Sequence, residues 1–96
     1  MIERRHADRV KIGESIVIAI DDREVPAWLE DLSDDGALLR VDEKGAVSSD
    51  DLGLEGVFVL PTITPARRYT GEIIRLFFRD GKAFFALRFW KGYVEV

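Results

Sequence analysis

Residues 69–78 and 82–90 are two runs rich in β-branched and aromatic side chains, joined through Arg79-Asp80-Gly81. Asp-Gly is the preferred pair for a two-residue turn with positive φ at both positions, so this stretch predicts a β-hairpin whose register is set by its turn. With Asp80 and Gly81 as the turn, Arg79 opposes Lys82 and Phe78 opposes Ala83. One face then collects Ile74, Leu76, Phe78, Phe85, Leu87 and Phe89, an apolar set fit for a core. The other collects Ile73, Arg75, Phe77, Phe84, Arg88 and Trp90. Aromatics mixed with arginines do not make an ordinary solvated surface. Such a face meets a ligand or partner, or it is covered by another piece of the chain, with Trp90 and Phe84 packed under the N-terminal arm.

The remaining chain fits the same architecture. Residues 15–20 form a β-branched run, and residues 23–32 resume it after Asp21-Asp22, a plausible hairpin turn. Pro26 lies inside the second run, which expects an edge or a bulge there. Residues 36–41 read as a third short strand, residues 42–53 as a polar connection with room for one irregular helical turn, and residues 54–60 as a fourth strand stopped by Pro61. Short strands with turn signals at regular spacing, and no long helical pattern, point to an all-β fold: a small six-stranded antiparallel β-barrel over residues 13–96, with little or no helix. Closure removes edges that an open sheet of this size would expose. Residues 1–12 read as a flexible N-terminal arm that carries arginines.

Composition bounds the function. The 96 residues make one domain, and no run approaches the ~20 apolar residues that span a membrane. The first residues lead straight into polar sequence, unlike a signal peptide. With no cysteine, disulfide and thiolate chemistry are excluded, and a cytoplasmic location is expected. Net charge is −4, unevenly spread: the arm is basic, residues 13–55 are strongly acidic, and residues 56–96 are basic again. An acidic body lacks the broad basic face that phosphate contacts along DNA require. A local arginine cluster suits a small anionic ligand better, although it also reads as a solvated tail. An enzyme is not expected: His6 is the one histidine, it sits among cations with nothing to orient it, and the paired carboxylates Asp21-Asp22, Asp34-Asp35 and Asp50-Asp51 all fall in turns. No metal or other cofactor is called for.

The densest polar stretch is Asp31-Leu32-Ser33-Asp34-Asp35-Gly36, between Trp28-Leu29 and Ala37-Leu38-Leu39. It fits a plain turn, a cation loop, or the lip of a ligand site. Asp31, Ser33, Asp35, Gly36, Leu38 and Asp42 follow an EF-hand calcium loop at several positions, but the last ligand is Asp rather than Glu, and Pro26 and the short 37–41 run leave no helices to flank it. The ligand reading draws on the arm, where Arg5 and Arg9 stand four apart with Arg4 adjacent. Arginine forms forked hydrogen bonds with phosphate and the guanine O6/N7 edge, and it stacks on bases. Asp31 can accept from guanine N–H donors, Ser33 can donate or accept, and Gly36 admits close backbone approach.

An Arg-x-x-x-Arg arm (Arg5 to Arg9, preceded by Arg4), followed about twenty residues later by Asp-x-Ser-x-x-Gly (Asp31 to Gly36), resembles the PilZ domain. Gly71-x-x-x-Arg75 and Ala86-Leu87-Arg88-Phe89 look like that family's closing strands. The resemblance implies a six-stranded antiparallel barrel that binds the bacterial second messenger cyclic di-GMP. It implies that Arg5 and Arg9 hold phosphates and guanine faces, with Arg4 auxiliary, and that Asp31 and Ser33 read a guanine over Gly36. The hairpin adds Arg75 and Phe77 as stacking or phosphate contacts, with Arg40 a weaker candidate. It further implies a receptor that changes shape on binding and signals to a protein partner, the arm being the moving part. A PilZ-like adaptor that binds no nucleotide is the alternative. Family members often continue into a helix after the last strand, whereas this sequence runs out at Phe89-Trp90-Lys91-Gly92-Tyr93-Val94-Glu95-Val96. A second subunit or a downstream protein is therefore expected to close the Phe84/Arg88/Trp90 face.

Overall fold

The structure, a computed structural model, describes residues 10–96; Arg4, Arg5, His6 and Arg9 lie outside the described residues. Six strands follow in order: β1 (Val10–Ile20), β2 (Arg23–Leu32), β3 (Gly36–Val41), β4 (Glu55–Leu60), β5 (Arg67–Arg79) and β6 (Lys82–Glu95). All neighbours are antiparallel, in the closed order β1-β2-β3-β6-β5-β4. Closure is made by β4 against β1, through Ile18↔Phe58, Ala19↔Val57 and Ile20↔Gly56. The fold is the six-stranded antiparallel barrel that the strand pattern predicts. The helical element among the described residues is the single 3₁₀ turn Ser49–Asp51, inside the polar connection before β4.

The β5–β6 hairpin forms as its turn chemistry requires. Asp80 and Gly81 sit at φ 54° and 79°, Arg79 pairs with Lys82, and Phe78 pairs with Ala83. The register then holds as far as Arg75↔Ala86 and slips, because the next pair is Ile73↔Leu87. Ile74 is the extra residue of this bulge. Two core expectations fail as a result. Ile74 is 47% exposed, and Ile73, placed on the outer face by simple alternation, is buried at 2%. Phe78 is also not in the core: it keeps the inward phase but lies past the barrel mouth, 66% exposed, beside Val41, Val47 and Ala83.

Away from the register shifts the strands alternate. Ile16, Ile18 and Ile20 of β1, Val25, Ala27 and Leu29 of β2, and Phe85, Leu87 and Phe89 of β6 point into the barrel. They pack with Leu39, Phe58, Leu60, Tyr69 and Ile73 in one core. Each large apolar side chain removed from water there stabilises the fold by roughly 1.5–3 kcal/mol before ordering costs. β1 starts at Val10 rather than residue 15, so residues 10–12, read from sequence as arm, belong to a strand. Pro26 pairs with Val17 beyond the last β2–β3 pair, Trp28↔Arg40, which makes it an edge position on that side as its missing N–H demands.

Two features lock the closed sheet. Asp51, with a side chain 5% exposed, accepts from Arg23 at 2.8 Å and from the Ser48 N–H at 3.0 Å, pinning the polar connection to the start of β2. Glycines allow β6 to be approached closely from both sides. A Cβ at Gly36 of β3 would run into the Leu87 carbonyl oxygen, and one at Gly71 of β5 into that of Arg88. Gly71→Ala therefore forces strand backbones apart, and urea denaturation is expected to show a loss of about 1–3 kcal/mol with the β-rich far-UV spectrum retained.

Candidate functional site

The turn between β2 and β3 is held by one hydroxyl. Ser33 Oγ accepts the N–H groups of Asp35 and Gly36, both at 3.2 Å, and donates to the Gly36 carbonyl at 3.3 Å. The Ser33 N–H donates to the same carbonyl at 2.9 Å. A hydroxyl has one proton and two acceptor lone pairs, so Ser33 is fully engaged inside the turn. The Asp35 carbonyl accepts the Phe89 N–H at 2.8 Å, which fastens the turn to β6. The space beside Gly36 is taken by the Leu87 carbonyl, so the glycine is required by the sheet itself.

Asp31 is a carboxylate at 9% exposure. Strict alternation after Val25, Ala27 and Leu29 would send it into the barrel. The β2–β3 register instead steps from Leu29↔Leu39 to Asp31↔Leu38, so Glu30 and Asp31 both lie opposite Leu38. Leu38 faces outward between the buried Ala37 and Leu39, which puts Asp31 on the outer face. On its other side Asp31 pairs with Lys11, next to a second irregularity where Gly13 has φ 69°. Bulges of this kind re-aim side chains, and here they turn a carboxylate out of the core.

The outer face continues across four strands. Leu38 pairs with Ala86, and Ala86 with Arg75, so a row runs from Asp31 to Arg75 over three strand spacings, ~14 Å. A bulged pair stands at each end, Glu30-Asp31 on β2 and Ile74-Arg75 on β5. Carboxylates thus face guanidinium across an uncharged middle. The adjacent row is Trp28–Arg40–Phe84–Phe77. Arg40 lies 5.5 Å from the Trp28 ring centre and is fixed by Glu30 at 2.7 Å and Asp42 at 2.9 Å. Phe77 and Phe84 stack at 5.3 Å and 6°, with Arg75 at 5.2 Å and Arg79 at 5.4 Å from the Phe77 ring. Arg88 lies in a third row beside Gly36 and reaches Glu72 at 3.8 Å.

Of the residues nominated from sequence, Asp31, Ser33 and Gly36 meet at one end of the β2–β3 hairpin. Arg75 and Phe77 share their face but stand two strands further on, with Arg40 between. Arg4, Arg5 and Arg9 lie outside the described residues. Sequence reasoning missed Trp28 and Arg79. The signal for Trp28 was available: it alternates with Val25, Ala27 and Leu29, so it belongs outside, and an outward tryptophan is worth marking. The calcium loop does not form. β3 is extended through Gly36–Val41, which carries Asp42 ~20 Å from Gly36, and the Asp42 carboxylate is bound to Arg40 and Lys82.

The sequence matches no protein-family model and no curated protein. One solved structure, that of the Bacillus subtilis inhibitor of motility (MotI/DgrA), superimposes with a TM-score of 0.65 at 17% identity over 95% of this chain. The likeness is one of fold. This chain spans 44% of the length of that one.

Because Ser33 closes the turn, Ser33→Ala is expected to lower unfolding free energy by about 1 kcal/mol, read as a shifted urea midpoint at unchanged slope.

Proposed function

We propose that this barrel is a receptor of the PilZ type for cyclic di-GMP, one that changes conformation on binding and passes the signal to a protein partner. The observation that carries this reading is the register of β1. Val10 pairs with Leu32, so the residue that follows Arg9 in the chain lies beside the 31–36 turn. The segment that carries the first motif therefore enters the barrel next to the second, some twenty residues later in sequence. In this reading Arg5 and Arg9, with Arg4 auxiliary, supply forked hydrogen bonds to phosphate and faces for guanine. Asp31, turned outward by its bulge, accepts from the guanine N–H edge. Gly36 keeps backbone and ligand close, and Arg75 and Phe77 offer a stacking contact across the face. In this reading ligand orders the arm, at a cost on the order of 1–2 kcal/mol per residue that charge-assisted bonds have to offset, so moderate affinity is expected. The barrel then works in the cytoplasm as a switch rather than an enzyme, and the likeness to an inhibitor of motility favours a regulatory use of the fold. Its partner surface would be the Phe84/Arg88/Trp90 face, closed by a downstream protein or a second subunit.

A second reading has its own support. Ser33 is wholly occupied within the turn and Gly36 is demanded by Leu87, so both motif residues have structural reasons to be there. A PilZ-like adaptor that binds protein without nucleotide would need them equally. Titration calorimetry with cyclic di-GMP separates the two. The receptor reading expects saturable heat from the wild type, and at least tenfold weaker binding by Arg9→Ala and by Asp31→Ala. Absence of heat and of any thermal shift at high micromolar ligand leaves the adaptor.

A further inference from the structure

The row Trp28–Arg40–Phe84–Phe77 ends in an arrangement that the nucleotide reading uses only in part. Arg75, Phe77 and Arg79 alternate on β5 and face outward together. Their pairs run from Arg75↔Ala86 to Arg79↔Lys82 without a register shift, and β3 and β6 pair regularly from Gly36↔Arg88 to Val41↔Ala83. The half-buried rings of Phe77 and Phe84 stack at 5.3 Å and 6°. Arg75 stands 5.2 Å and Arg79 5.4 Å from the centre of the Phe77 ring, and Arg79 also reaches the Phe84 ring at 5.7 Å. Two exposed guanidinium groups are thus laid on one aromatic bed, within reach of a single short segment. Contact with a ring restrains a guanidinium by its face and leaves its N–H edges free to fork onto an oxyanion. The other cations of this face are paired: Arg40 with Glu30 and Asp42, Lys82 with Asp42 at 3.9 Å, and Arg88 with Glu72. The excess positive charge of the face is therefore that of Arg75 and Arg79.

We infer that this platform is a docking site for a short acidic segment of a protein partner. Its carboxylates fork onto Arg75 and Arg79, and an apolar side chain beside them packs over the small Ala86, next to Phe84 and Leu38. Charge complementarity selects the occupant, and the rings make the site more than a patch of charge. Because the rings already hold the guanidinium groups, less side-chain freedom is lost when a carboxylate binds. Arginine beside aromatic rings is also the composition found at the energetic centres of protein interfaces. A nucleic acid fits less well on two counts. The Phe77 ring is taken by Phe84 and two guanidinium groups rather than open to a base, and a phosphate chain leaving the patch meets Glu30, Asp42 and Asp80. The inference rests on the proposed function only in taking the barrel to engage a protein; it needs no nucleotide and holds for the adaptor as well. The platform is a few residues wide, so the contact is weak and transient.

Fluorescence anisotropy of the full chain without nucleotide tests this, with near-UV circular dichroism confirming that each variant is folded. The probes are a fluorescein-labelled peptide of glutamates around a central phenylalanine, the same peptide with lysine in place of glutamate, and an oligo-dT of matching length. The wild type is expected to bind the glutamate peptide with a Kd on the order of 100 μM at low salt, and more weakly as salt rises. Arg79→Glu is expected to weaken that binding at least tenfold while leaving cyclic di-GMP calorimetry unchanged, because Arg79 is not among the proposed nucleotide contacts. The double variant Arg75→Glu/Arg79→Glu is expected to prefer the lysine peptide. Phe84→Leu keeps both charges but removes one of the two rings under Arg79, and is expected to weaken binding about threefold. No binding of the glutamate peptide overturns the proposal, as does equal or tighter binding of the lysine peptide or the oligonucleotide. So does an Arg79→Glu variant that binds the glutamate peptide like the wild type, a double variant with no change of preference, or a Phe84→Leu variant unaltered in affinity. The cyclic di-GMP titration is read separately, so failure of the receptor reading and failure of this docking site are distinct results.

Discussion

The close approach of β6 to its two neighbours at Leu87 and Arg88 is the constraint on which the rest of this barrel depends. On the β3 side the Leu87 carbonyl fills the space a side chain at Gly36 would need, and on the β5 side the Arg88 carbonyl does the same at Gly71. A sheet of six strands closes over a core this small only if it bends sharply somewhere, and glycine is the residue that lets backbones come that near. Beside that close approach the β2–β3 turn is fastened to β6, the Phe89 N–H donating to the Asp35 carbonyl. Closure of the barrel and placement of the polar turn are consequently linked: the contacts that seat β3 against β6 also fix where Ser33 and Asp35 sit.

Bulges then decide what the outer face carries. Without the extra residue at Glu30, alternation would bury Asp31 among Leu29 and Leu39, where an ionised carboxylate is costly. Without the one at Ile74, Ile73 would lie outside and the core would lose a fully enclosed side chain. Both irregularities sit on the same cross-strand row, at opposite ends of the Leu38–Ala86 pair. They bring charged groups to the two ends of a patch whose neighbouring row is lined with stacked aromatic rings and guanidinium groups. The sheet gains a chemically varied surface along the row that these two register shifts bound.

What the sequence made legible follows from how local each determinant is. Asp80-Gly81 specifies its turn by the dihedral angles those two residues tolerate, so the hairpin and its first pairs are readable from a handful of positions. Strand count and barrel closure follow from turn spacing and the absence of long helical periodicity. The bulges leave no such mark, since Ile73-Ile74 reads equally well in either phase and only packing against Leu87 chooses between them. Phe78 has the right phase and type for a core residue but falls beyond the mouth of the barrel, a matter of strand length that alternation does not encode. At the site, Asp31, Ser33 and Gly36 were identifiable as a group by residue type and spacing. That Ser33 closes its own turn and Gly36 accommodates β6 depends on the 31–36 loop folding back onto Leu87 and Phe89, which are distant in sequence.

Electrostatics divides the labour between the two motifs. The turn is acidic, with Asp31, Asp34 and Asp35 in it and Glu30 beside it. A phosphate laid against those groups alone would be repelled by about 1 kcal/mol per charge at 4 Å even in water, and by more where water is excluded. On the sheet, Lys11 stands opposite Asp31, Arg40 is bound to Glu30 and Asp42, and Arg88 reaches Glu72. Arg75 and Arg79 lie over Phe77 on the far side of the face. In the receptor reading, the arginines that precede β1 in sequence add to Lys11 the positive charge that an anionic ligand at this turn requires. Under the proposed function, the carboxylate turned outward by a bulge takes the neutral N–H edge of a base and the arm takes the phosphates. The first contribution is short-ranged and insensitive to salt; the second is long-ranged and screened over ~8 Å at physiological ionic strength. In the receptor reading the rigid barrel supplies specificity and the segment that leads into β1 supplies attraction.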